Sequence, residues 1–269
     1  MKRANSQLLT IIFLMFSINT TQAQLLKKIK NRVEQKVENV IVEKTSDKAA
    51  EKTSKSMDKI LNTNPFNTGN TKASPDLIAD SYTFTWKYSL KMTTKDGQMI
   101  LDYYLHPGAG YFGFTTEAMN SMFTVMDNEN KITAMFMTSK GNNIVMASQI
   151  SDDLNLEDTE ESVEEFNFQS LPSKTINGFN CKGVRATNSE YQMDMYFTDE
   201  AEVSFDDIYK NQQTKIPVQL QNYFNKDDKV LMIFMDMKHL KNKKRDAQIE
   251  CIGLEKVTKT ISKSAYKSM

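Results

Sequence analysis

Between residues 82 and 88, Tyr82, Phe84, Trp86 and Tyr88 alternate with Thr83, Thr85 and Lys87. Side chains of an extended strand point to opposite faces in turn, so a period of two predicts a half-buried strand and excludes a helix here. Asp96-Gly97 follows, and both residues tolerate the positive φ of a tight hairpin turn, which leads into a second strand over 99–105. The pattern repeats. Strands are predicted over 122–126, 132–137 and 144–149, with turns over 127–130 and 140–142. Asn177-Gly178 turns the chain into 179–187, and Tyr191, Met193, Met195 and Phe197 then alternate with Gln192, Asp194 and Thr198. A last hairpin pairs 230–237 with 247–257 across the basic loop 238–245. Eight or nine short-linked strands of this kind imply an α+β, mostly β domain: an antiparallel curved sheet or half-open barrel with a packed helix. The helix is expected in 204–225, where Asp206 and Asp207 mark a start and Pro217 a break.

The strands over 132–137 and 230–237 are apolar on both faces. A sheet buried twice needs two apolar partners, such as a helix on one side and a second sheet or a hydrophobic ligand on the other. Seventeen methionines sharpen the question. The flexible, polarizable thioether suits an adaptable surface for varied apolar ligands, and it also fills irregular cores with no further role. Phe84, Trp86, Met135, Met137, Met146, Met193, Met195, Met232 and Phe234 are the candidate lining residues. Alternation alone leaves open which face is concave.

The flanking segments set the compartment. Lys2 and Arg3, an apolar run over 8–16 and Thr21-Gln22-Ala23 have the form of a cleavable export signal over 1–23. No later run approaches the roughly 20 apolar residues of a spanning helix, and no cysteine follows the cut to carry a lipid. A periplasmic or secreted product is expected. The 34 basic and 34 acidic residues balance, and loss of Lys2 and Arg3 leaves a net charge of about −2, which gives no general attraction to nucleic acid. In 24–62, Leu26, Ile29, Val33, Val37, Val40 and Ile41 recur at helical spacing among ten basic and six acidic residues. This predicts a long amphipathic helix, able to meet an envelope protein partner, a membrane surface or the domain itself. Composition makes 63–79 a linker and 80–269 the β-rich domain.

Motifs for chemistry fail on context. Gly108-Ala109-Gly110-Tyr111-Phe112-Gly113 matches G-x-G-x-x-G, yet an aromatic, strand-like stretch follows where dinucleotide binding needs a helix N-terminus. His106 and His239 are the only histidines, and neither adjoins a nucleophile motif or a zinc-ligand spacing. The acidic stretch at Asp127 lacks the glycine and distal glutamate of a calcium loop. Eight acidic residues over 152–165 and the basic tip Lys241, Lys243, Lys244 and Arg245 read as solvated loops. No cofactor, metal or catalytic set is expected. Cys181 and Cys251 both fall on inward-facing positions, and export permits either a disulfide or two buried thiols. A bridge closing that loop would contribute roughly 4 kcal/mol.

Met126-Asp127 to Met137 paired with Ile144 to Ser148, then Lys174-Thr175-Ile176-Asn177-Gly178-Phe179-Asn180-Cys181-Lys182 and Met193-Asp194-Met195-Tyr196-Phe197, resemble an uncharacterised exported domain-of-unknown-function family of Bacteroidetes envelope proteins. The likeness covers roughly 80–205. That family is in turn similar to the LolA/LolB lipoprotein carriers, whose half-open barrel cradles acyl chains around helices. The resemblance implies this fold and an envelope address, and it brings no catalytic residues. The helix over 25–61 and Cys251 lie outside its pattern. Two functions follow: a non-enzymatic envelope protein holding a hydrophobic or lipid-like ligand, or a structural module acting through its N-terminal helix.

Overall fold

The computed structural model describes residues 71–117, 121–139, 141–150, 166–205 and 229–269. Alternating sequence and tight turns build two meanders. The first runs through β1 (Ser81–Thr94), β2 (Gly97–Leu105), β3 (Tyr111–Thr116), β4 (Met122–Asp127), β5 (Ile132–Ser139) and β6 (Asn142–Gln149). The second comprises β7 (Asn167–Ile176), β8 (Phe179–Thr187), β9 (Tyr191–Thr198), β10 (Leu231–His239) and β11 (Ala247–Ser262), and a short β12 (Lys267–Ser268) ends the chain. Asn177 and Gly178 take φ of 52° and 85°, the pair of positive values that a two-residue hairpin turn requires.

The meanders join through β1 and β11, which pair antiparallel from Ser81 opposite Ser262 to Thr94 opposite Ala247. One sheet results, in the order β12-β6-β5-β4-β3-β2-β1-β11-β10-β9-β8-β7. It is curved and open, as the curved-sheet alternative expects, and its edge strands β12 and β7 do not pair, so a closed barrel is ruled out. Among the described residues, helical structure is limited to three short 3-10 turns. The packed helix over 204–225 falls almost wholly outside the described residues. The export signal, the helix over 24–62 and the acidic run 152–165 lie outside them entirely.

Curvature comes from the long strands. β1 pairs with β2 only from Trp86 onward, and register shifts along β11 bend the β1–β11 ribbon away from β2. Its free end folds across β3–β6. There Tyr82, Phe84 and Ile261 share one core with Phe123, Val125, Ile132, Ala134, Phe136, Val145 and Ala147. Tyr111 Oη donates to Thr83 O at 3.2 Å and accepts from Thr83 N at 3.3 Å, which fastens the ribbon in place. The first apolar partner demanded by the two-sided strands is thus the free end of the β1–β11 ribbon.

The β6 edge is covered twice. Residues 71–73 run beside it, with Ala73 N donating to Ala147 O at 3.0 Å and Gln149 N to Thr71 O at 2.9 Å, and β12 lies parallel to Ile144 and Val145. Within the stretch read as linker, Ala73 and Ile78 are buried in this core. The other edge, β7, carries Pro172 and a register shift between Leu171 and Lys174. Both features blunt an exposed edge against further pairing.

Candidate functional site

The register of β3–β6 assigns every side chain to one of two faces. Phe112, Met126, Thr133 and Ser148 form one cross-strand row, Phe114, Thr124, Met135 and Met146 the next. Met122, Met137 and Ile144 form a third. All five methionines of β4–β6 stand on this face. The opposite face holds Phe123, Val125, Asp127, Ile132, Ala134, Phe136, Val145 and Ala147, and no methionine.

The methionine face is enclosed. Met135, Met137, Ile144 and Met146 are buried together, with Met122 and Met269 packed against them. Toward β1 the face becomes aromatic: Tyr88, Tyr103, Phe112 and Phe114 belong to the largest core cluster. Phe205 closes over this part, with ring centroids 5.4 Å from Tyr103, 5.7 Å from Phe112 and 6.1 Å from Tyr88. Burial pushes the Tyr103 hydroxyl up to about 12 and raises Tyr88 as well, so both stay protonated. Tyr88 Oη donates to Met232 O.

The candidate lining residues divide among these regions. Met135, Met137 and Met146 come together in the methionine cluster. Met193 and Met195 lie in the large core, and Trp86, Met232 and Phe234 are half-buried against it. Trp86 is further covered by Lys256, whose Nζ sits 5.2 Å from the ring centre. Phe84 belongs to the opposite, aromatic face, with edge contacts to Tyr104, Tyr111 and Phe123 at 6.1, 5.7 and 5.6 Å. Sequence reasoning does not single out Thr116, Thr133 and Ser148, whose buried hydroxyls have no hydrogen-bond partner. The period-two pattern of 132–137 and 144–149 does put Thr133 and Ser148 in line with methionines.

The remaining candidates have structural duties. Asp127 is buried and accepts from Tyr82 Oη at 2.9 Å, Glu129 N at 3.1 Å, Asn130 N at 3.0 Å and Asn130 Nδ2 at 2.8 Å. Those bonds fix the β4–β5 turn. The glycines of the G-x-G-x-x-G stretch serve close approach: a Cβ at Gly110 would meet the Glu129 side chain, and one at Gly113 would lie 2.4 Å from Phe123. His239 is buried in its basic turn, its Nδ1 accepting from Lys241 N and Asn242 N, both at 3.2 Å. His106 meets Thr85 at 3.4 Å. Among the described residues, no three His, Cys, Asp or Glu side chains gather as a metal site.

Cys181 and Cys251 are both buried, and the structure holds them as separate thiols. Burial raises both pKa values, and the Glu200 carboxylate adds to the rise at Cys181. Asn177 Nδ2 donates to Cys251 O at 2.5 Å, so the β7–β8 turn rests against β11.

Residues 84–222 match DUF4412, a domain of unknown function. The chain belongs to that family. No curated protein matches it. Among solved structures, an uncharacterised conserved protein from Thermus thermophilus aligns over 72% of this chain and 93% of its own, at 10% identity and TM-score 0.37. PNGF-II aligns at 10% identity and TM-score 0.34, over 69% of this chain and 30% of PNGF-II, so the chain spans under a third of that protein. A Vibrio parahaemolyticus domain assigned to outer membrane lipoprotein sorting aligns at 9% identity and TM-score 0.17, over 65% and 85% of the two chains. At such scores these likenesses transfer no function. No described helix is long and apolar enough to cross a membrane.

Proposed function

We propose that this chain is an exported, non-enzymatic carrier that holds a hydrophobic or lipid-like molecule against the methionine-bearing face of β4–β6. One observation carries the reading. Strands β4–β6 are buried on both sides, yet Met122, Met126, Met135, Met137 and Met146 all stand on one of them. Filling of irregular gaps would draw methionine to either buried face. A surface that must repack around a guest needs it on one, because the unbranched thioether changes rotamer at little energy. Met135, Met137 and Met146 are buried together, which supports a guest held away from water. The sequence of residues 1–23 supports an envelope address.

Native mass spectrometry of the protein expressed with residues 1–23 intact and purified without detergent, followed by solvent extraction, tests the proposal. A recovered apolar molecule, displaceable by a fluorescent hydrophobic reporter, is the expected result. A ligand-free protein that leaves the reporter's emission unchanged overturns it.

A further inference from the structure

Thr133 and Ser148 stand directly opposite each other on β5 and β6, are 0% and 1% exposed, and have hydroxyls without a hydrogen-bond partner. A buried hydroxyl left unpaired costs about 1–3 kcal/mol, and valine and alanine would occupy these sites without that cost. Opposed side chains on neighbouring strands have Cβ atoms about 5 Å apart, so two O–H groups here can converge on one acceptor. The next cross-strand pair is Met135 with Met146, followed by Met137 with Ile144. The hydroxyl pair therefore heads an apolar track of two side chains on each strand, about 14 Å long at the usual rise.

The chemistry of the acceptor follows from charge. Positions 122, 124, 126, 133, 135, 137, 144, 146 and 148 on this face of β4–β6 include no Lys, Arg, Asp or Glu, and Lys72, which pairs with Ser148 from the segment before β1, is exposed. A carboxylate or phosphate buried there would have no buried counter-charge, because the Lys72 ammonium stays exposed, whereas a neutral carbonyl is satisfied by two hydroxyl donors. We infer that Thr133 and Ser148 form a polar subsite for the ester or amide carbonyl of an acyl ligand, with its tail along Met135, Met146, Met137 and Ile144. This rests on the carrier reading. Thr116, the third unpartnered hydroxyl, lies on β3 beyond Phe114 and is not part of the pair.

Competition against a fluorescent hydrophobic reporter tests the subsite in the full chain, with a long-chain fatty acid methyl ester, the free acid and the matching alkane as probes. The wild type should bind the ester about tenfold more tightly than the alkane, the worth of a modest net hydrogen-bond gain. Thr133→Val combined with Ser148→Ala should bring the ester down to the alkane level and leave alkane affinity unchanged, which also reports an intact fold. The empty double variant should melt at the wild-type temperature or above. A double variant that keeps the ester preference, a wild type without one, or a wild type preferring the free acid overturns the subsite while alkane binding upholds the carrier. Failure of all three probes to displace the reporter removes both.

Discussion

The two faces of β4–β6 are built from the same three strands and differ in almost every physical respect. One is clamped by the β1–β11 ribbon: Tyr82, Phe84, Phe123 and Phe136 interlock at fixed edge angles, and the buried Asp127 carboxylate is met by four donors. The other carries five methionines and two opposed hydroxyls without partners. Stiff rings and a satisfied polar group specify one packing. Flexible thioethers beside unsatisfied donors specify a place where packing can change. Strand-level burial is thus a poor guide to role, and the chemistry of each face is a better one.

The broadest test strains both sides at once. Burial raises Tyr82, beside the Asp127 charge, and likewise Tyr88 and Tyr103. The folded protein keeps protons that the unfolded chain gives up, so the contribution is intact below pH 10 and lost as pH climbs through about 12. Thermal unfolding followed across that window, with tyrosinate absorbance as the second readout, should show stability falling; a flat profile would mean the rings are hydrated. Next in size, Phe84→Ala should cost about 4 kcal/mol in urea unfolding, the range for a fully enclosed phenylalanine.

Gly113→Ala presses on the same interface from the strand side. Its methyl would stand 2.4 Å from Phe123 and 3.0 Å from Phe84, so a loss of about 2 kcal/mol is expected from calorimetry. The smallest effect belongs to the opposite face. Met135→Leu, Met137→Leu and Met146→Leu keep volume and apolarity, and each should cost less than about 1.5 kcal/mol while narrowing the range of hydrophobic reporters bound. If the leucine set proved as damaging as Phe84→Ala, the contrast between a locked and a pliable face would collapse.

Much of the sheet is legible in the sequence because hairpins are local. Asp96-Gly97, the 127–130 turn and Asn177-Gly178 fix where strands end, and alternation between them fixes register, so the methionine rows follow from the order of residues. β3 is obscured by Gly113, which admits Phe123 and Phe84 and interrupts the apolar alternation. β7 is hidden because it is an exposed edge strand, with Pro172 inside it and no alternating apolar row to betray it. The folding of the β1–β11 ribbon over β3–β6 has no local signal, since it depends on residues about 180 positions apart. Phe84 groups with the methionines in sequence for that reason: its strand alternates correctly, but the strand crosses to the other side.

Strand β6 receives the segment before β1 on one half of its edge and β12 on the other. β12 cannot dock until β11 has found β1, because the hairpins close short loops while Lys267 and Ile144 belong to different meanders. Assembly should therefore finish at this seam. Until it does, the newly made protein presents an unpaired border to its neighbours, which makes the final stage of folding the period of greatest exposure to aggregation.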